Sequence, residues 1–433
     1  MSIKLTAVQP PIRQTRAGET IRSARRFGAL ALLVASLGVI SALWATAAGA
    51  APRSRAHPVA RPLPARIEAK VRKTVRLFRE RTRAPGVMVG IWSPRGTFVS
   101  ATGVADLANR TPLTANMQFK IASQTKAFTG NLILQLVGEG KVSLDDHISK
   151  WVSGVPNGDQ ITIRELLNMT SGLSTGLLAT EAGINKLATG CTEADVLTIS
   201  ATVPVVAPPG VKWSYSNYGY DLLGRVVELT TGLNMSTAIQ RRIARPLGLR
   251  RTFLPTSSNG LSAPFTHGYG TGQAHSGRAP GVASDDNTGL RQSCLGASGG
   301  MVSTLSDLRV WSRALGTGAL LKPAVWKEAK KGLFPYAFSD HYNGPGRWRQ
   351  GLGFIETGGF IGKEGSLPGY ESITMYSPAR HTTIEVMATK QPNAITPTRM
   401  FQALAMDLYG PNIGFGLRPA QAIAPSYKAP GEE

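Results

Sequence analysis

Three short segments carry residue types that could act on a carbonyl group. In "IASQTKAFT" (121–129), Ser123 and Lys126 stand three apart where a helix begins, so their side chains share one face. The plain structural reading makes Ser123 an N-cap. A capping box, however, wants Glu or Gln three residues on, and Lys126 holds that place. A cation in a first turn faces the positive end of the helix dipole. Burial acts in the same direction, and both depress a lysine until it can take a proton from a neighbouring hydroxyl.

In "KWSYSN" (212–217), Tyr215 and Asn217 point the same way if the segment is extended, a phenol and an amide. Asn217 could equally cap the helix that follows, with Tyr215 as its anchor. In "IGKEGSLPGY" (361–370), strand alternation puts Lys363 and Gly365 on one face and Glu364 on the other. Glu364 is therefore expected to turn away and pair with a basic side chain. Lys363, Gly365 and the N–H of Ser366 could line a strand edge that binds an extended acyl substrate and its carboxylate, the glycine letting a substrate backbone lie close. An ordinary charged edge strand is the alternative.

The elements that must position these residues are legible from patterning. "IEAKVRKTVRLFRERT" (67–82) has apolar residues at helical spacing, and "GVMVGIWSPRGTFVSATGVAD" (86–106) reads as a hairpin turning at Pro94–Gly96. "FTGNLILQLVGEG" (128–140) is apolar over a wide arc, a buried helix that stops at its glycines. Residues 256–300 read as a long loop. Strand patterns return in "GLGFIETGGF", "YESITMYSP" and "HTTIEVMATK", and a last helix covers about 397–408. The expected fold is α+β: an antiparallel sheet built from the N- and C-terminal segments and flanked by helices, with an all-α lobe over about 117–330. The domain spans 65–412, between a Pro/Arg-rich linker (51–64) and a tail (413–433).

The chain has 433 residues and a net charge of +22. Arg22, Arg25 and Arg26 precede the apolar run 27–50, which ends in Ala48-Gly49-Ala50. That is an export signal or, uncleaved, a membrane anchor, and it places the protein outside the cytoplasm. Residues 1–50 hold six basic side chains and one acidic one, so the remainder still carries +17. Such charge favours anionic wall polymers as neighbours. Nucleic acid is not expected, because no zinc-finger spacing, RNP-like aromatic motif or basic helix is present. Cys191 and Cys294 could form one bridge or stay as two buried thiols. The six histidines show no metal-ligand spacing, so no metal is expected. Gly296–Gly300 fits G-x-S-x-G, but the strand and immediate helix of a nucleophile elbow are missing around Ser298.

Taken together, Ser-x-x-Lys, Tyr-x-Asn and Lys-x-Gly in this order resemble the penicillin-recognising serine hydrolases. These are the class C β-lactamases, the D-alanyl-D-alanine carboxypeptidases and related esterases. "ITIRELLNMTSGL" (161–173), "GYDLLGRVVELTTG" (219–232), "GASGGMVSTLSDL" (296–308) and "GSLPGYES" (365–372) extend the likeness over about 65–410. The resemblance implies a β-lactamase/transpeptidase-like fold, no cofactor, and an acyl-enzyme on Ser123 with Lys126 as proton acceptor. It implies that Tyr215 exchanges protons with the leaving group, that Asn217 and Lys363 bind substrate, and that the N–H groups of Ser123 and Ser366 form an oxyanion hole. The implied substrates are small peptides, esters or β-lactams, with D-alanyl-D-alanine peptides first and a non-catalytic wall-binding role last. One departure stands out: Glu364 fills the place where class C β-lactamases carry a threonine.

Overall fold

The computed structural model describes residues 61–256, 260–270, 286–335, 347–391 and 397–415. The expected export signal, most of the linker and most of the tail lie outside the described residues. Helix α1 (Ala65–Thr82) buries Val71, Val75 and Phe78 at i, i+4 and i+7 and ends with Arg83 in the left-handed region. Strands β1 (Gly86–Ser93) and β2 (Gly96–Asp106) form the predicted hairpin, with Ser93 opposite Gly96. Next come β3 (Thr111–Pro112), β4 (Phe334–Pro335), β5 (Arg349–Gln350), β6 (Ile355–Thr357), β7 (Phe360–Leu367), β8 (Tyr370–Ser377) and β9 (Thr382–Ala388). They make one nine-stranded antiparallel sheet in the order β3-β2-β1-β9-β8-β7-β6-β5-β4. The β1–β9 pairing, Val87 opposite Ala388, joins chain segments some 300 residues apart.

Both faces of the sheet are covered, so β8 and β9 are buried along their whole length even where they carry polar residues such as Glu371, Thr374 and Glu385. Val87, Val89 and Ile91 of β1 join Ile384 and Val386 of β9 under α1 and α5 (Pro397–Tyr409). Met88 and Met387, one residue over, face the opposite core. That core contains α2 (Thr125–Gly138), α3 (Tyr218–Thr231) and α4 (Leu305–Thr317). α2 is buried nearly all round, and its Gly130 touches the Gly353 backbone, where a Cβ would come within 2.8 Å of the Gly353 Cα. Short helices at Ile163–Leu167, Glu181–Thr189, Glu193–Ala201 and Met235–Ile239 complete the helical lobe.

Three expected boundaries move. The lobe ends before 330, because α4 packs on the sheet: Gly316 lies under Tyr376, and Ser312 reaches Thr383 across 3.4 Å. The linker ends before 64, because Leu63 is buried and the Arg61 carbonyl accepts the Thr97 N–H. The tail begins after 415, because Ile413 and Phe415 are buried, the latter against Phe401. In the last two cases isolated apolar residues among Pro, Arg and Gly dock on the sheet's outer layer, where local composition gives no periodic signal. The long loop expected over 256–300 also contains two helical turns, Gln292–Cys294 and Gly296–Gly299. Cys191 and Cys294 are bridged, tying the Glu181–Ala201 region to those turns. Among the described residues no helix is long and apolar enough to cross a membrane.

Candidate active site

Ser123 sits in a 3-10 turn, Ala122–Gln124, immediately before α2. It does not cap the helix; Gln124 occupies that position and no side chain caps it. The turn is held from several sides. Ile121 N–H donates to Met301 O (3.0 Å), Thr125 Oγ1 donates to Ala122 O (2.7 Å), and Gln124 Nε2 donates to Ser372 Oγ (2.7 Å). Ala122 is fixed at φ 49°, a region that non-glycine residues rarely adopt. Strain maintained by its surroundings often marks a site with a task.

The Ser123 hydroxyl is contacted by two groups. Tyr215 Oη donates to Ser123 Oγ at 2.5 Å, and Lys126 Nζ lies 3.2 Å from the same oxygen. Lys126, the second residue of α2 and wholly buried, also reaches Asn217 Oδ1 (2.7 Å) and Ser298 O (2.6 Å). Asn217 stands at the N-cap position of α3 but makes no side-chain cap, since its carbonyl is turned to Lys126. Burial, and secondarily the Lys363 charge, pull the Lys126 amine well below the usual lysine range; Asp221 and Glu364 oppose the shift. Burial and the Glu364 charge hold the Tyr215 phenol well above its usual range, so it keeps its proton.

In its neutral form the Lys126 amine has two N–H bonds and one lone pair. With the N–H bonds on the two shortest contacts, Asn217 Oδ1 and Ser298 O, that form turns its lone pair to the Ser123 hydroxyl proton. Tyr215 then donates to the serine oxygen from its other side. The arrangement can deprotonate a serine hydroxyl without histidine or metal.

The β7 residues fall partly as expected. A Cβ on Gly365 would lie 2.1 Å from Ile121 O and 3.0 Å from Ser123 N, so glycine is required for the strand to approach the serine turn. Lys363 is buried with Nζ 5.7 Å from the Tyr215 ring centre. Ser366 lines the same cavity as Ser123.

Glu364 does not turn away. It lines that cavity too, and its Oε1 accepts from Lys363 Nζ at 2.5 Å. Strand β6 pairs with Phe360–Gly362 and β8 with Ile361–Leu367, so the pairing to β6 ends before Lys363. There the cavity runs alongside the strand, and a side chain as long as that of Glu364 can bend into it. Alternation fixes the starting direction of a side chain, not where four bonds of reach take it.

The cavity, about 200 Å³, is walled on its apolar side by Leu178, Leu187, Leu290, Leu295 and Leu367. One further contributor had no sequence signal. Asp221 of α3, buried and pushed up to about 7 by burial, accepts the Ser298 N–H (3.1 Å) and so holds the residue whose carbonyl meets Lys126. Ser298 itself turns its hydroxyl to Leu295 O (2.8 Å), away from any nucleophilic role. Among the described residues no group of three or more His, Cys, Asp or Glu side chains could hold a metal.

The Beta-lactamase family profile matches residues 71–405. Penicillin-binding protein 4* of Bacillus subtilis is 26% identical over 331 residues, 73% of this chain and 71% of that protein. Esterase EstB of Burkholderia gladioli is 30% identical over 183 residues, 39% of this chain and 46% of the esterase. Among solved structures, a D-amino acid amidase from Ochrobactrum anthropi is 27% identical with a TM-score of 0.64, covering 75% of this chain and 91% of the amidase. A D-stereospecific amidohydrolase from Streptomyces is 24% identical with a TM-score of 0.68, over 79% and 98% of the two chains, and shares the fold.

Proposed function

The chain belongs to the Beta-lactamase family and is a serine hydrolase, and we propose that it works through an acyl-enzyme on Ser123. The observation that carries this reading is the contact set of one hydroxyl: 2.5 Å from a protonated phenol and 3.2 Å from a depressed, buried amine. In the proposed cycle Ser123 Oγ attacks the substrate carbonyl and its proton passes to Lys126. The N–H groups of Ser123 and Ser366 stabilise the resulting oxyanion, where one such donor is typically worth about 3 kcal/mol of barrier. Tyr215 relays the proton from Lys126 to the leaving group; in the second half the attacking water gives its proton to the same pair, which returns it to Ser123 Oγ as the acid is released. Asn217 both orients Lys126 and offers its amide nitrogen to the substrate.

The substrates proposed are small D-aminoacyl amides, peptides or esters. The D-amino acid amidase and the penicillin-binding protein among the relatives support that class, of which D-alanyl-D-alanine peptides are the members that end in a free carboxylate. The leucine wall suits a short apolar side chain. Export, with an uncleaved signal as the only membrane contact, and proximity to anionic wall polymers are proposed on the N-terminal run and the basic charge alone.

The test is turnover of nitrocefin, a D-Ala-D-Ala peptide and a p-nitrophenyl ester by wild type and by Ser123→Ala. Loss of at least 10³-fold in every activity that wild type shows is expected. Turnover that survives the substitution would overturn the reading.

A further inference from the structure

A cation beside an acyl-transfer site is well suited to hold a substrate carboxylate, but Lys363 is buried behind Tyr215 and does not line the cavity, while its neighbour Glu364 does. The Lys363 charge is also already engaged. Lys363 Nζ and Glu364 Oε1 are 2.5 Å apart, with the two side chains only 1% and 4% exposed. An ion pair so enclosed is poorly screened by solvent, so Glu364 offsets most of the positive potential that a substrate end would meet.

Glu364 also lines the cavity together with Ser123, Tyr215, Asn217 and Ser366. A carboxylate brought to Lys363 would have to displace Glu364 or sit beside it in a dry cleft. Both routes bury two like charges around one cation. An amide or ester at the same position carries no charge and can share the lysine by donating to, or accepting from, the existing pair. The strand cannot relieve the conflict by rotating, because β8 fixes its register, with Lys363 opposite Thr374 and Glu364 opposite Ile373, and Gly365 is wedged against the Ile121–Ser123 backbone.

We propose that Glu364 is a specificity-determining residue that turns the Ser123 site toward D-aminoacyl substrates whose distal end is an amide or ester and away from those ending in a free carboxylate. The chemistry selected is therefore that of an amidase or esterase rather than a carboxypeptidase. This rests on the acyl-enzyme reading above and narrows its substrate class.

The test uses two ligands that differ only at the terminal group, N-acetyl-D-Ala-D-Ala and N-acetyl-D-Ala-D-alaninamide. With wild type, kcat/KM for the amide is expected to exceed that for the acid at least tenfold. In Glu364→Gln, which keeps the shape and loses the charge, and in Glu364→Thr, the amide-to-acid ratio is expected to fall at least fivefold. A wild type that handles the acid as well as the amide would overturn the proposal. So would folded variants whose ratio moves less than fivefold, since a merely structural Glu364 would slow both substrates alike.

Dissociation constants of the same two ligands for Ser123→Ala, with and without Glu364→Gln, read the discrimination with no turnover involved. An inverted or flat binding ratio there sinks the specificity proposal. Catalysis that persists in Ser123→Ala sinks the acyl-enzyme reading instead.

Discussion

Proton positions decide the chemistry at the scale of single residues. Lys126 has three neighbours and, when neutral, two hydrogens, so the serine hydroxyl supplies the third bond. Replacing Lys126 with Met removes the acceptor, and kcat/KM is expected to fall by about 10²–10⁴, the usual worth of a positioned base. Steady-state kinetics on a folded variant check this. Asp221 makes a different prediction, about stability. Its carboxyl keeps its proton to about pH 7 in the fold but loses it near 3.8 when unfolded. Between those values the folded state binds more protons, so this group's contribution is full below pH 3.8 and is lost as pH rises through 7. Asp221→Asn keeps an acceptor for the Ser298 N–H and cannot ionise. Its Tm minus that of wild type should grow from pH 4 to pH 8, by up to on the order of 4 kcal/mol in stability. A difference that is flat or shrinks over that range would show that Asp221 is not held protonated.

At the scale of elements, the site exists where β7 meets the turn ahead of α2, and Gly365 sets their separation. Gly365→Ala would force the two backbones apart by an ångström or more. Displacements of that size can cost about 10²-fold in rate, and a drop in Tm should accompany the loss; equal rates in the variant would contradict the packing described. The strands and helices were readable because each buries a continuous or periodic apolar set, as in Val71, Val75 and Phe78 of α1. Ser123, Lys126, Tyr215 and Asn217 were readable as candidates because their spacing on adjoining helix starts survives as sequence. Glu364 was misread because alternation gives the starting direction of a side chain and not where its length carries it. Asp221 was invisible because its partner, Ser298, is 77 residues away and contributes a backbone N–H, which any residue type could supply.

The described residues combine a sheet built of strands from both ends of the chain with a helical lobe that carries Tyr215, Asn217 and all of the leucine wall but Leu367. The Cys191–Cys294 bridge, spanning 103 residues of sequence, braces the part of that lobe that lines the cavity through Leu178, Leu187, Leu290 and Leu295. Removing it with Cys191→Ser/Cys294→Ser should lower stability by about 2–4 kcal/mol, measured by urea unfolding of oxidised wild type against the variant. Identical midpoints would mean that the bridge constrains nothing the unfolded chain explores.

The central claim is that one serine becomes acylated, and the mass of the protein tests it most directly. Wild type and Ser123→Ala are mixed with a penicillin or an activated ester, quenched in acid, weighed intact and digested. The account predicts one acyl group per wild-type chain, located on the peptide that contains Ser123, and none on the variant. An adduct on any other residue, or equal labelling of the two proteins, would contradict it.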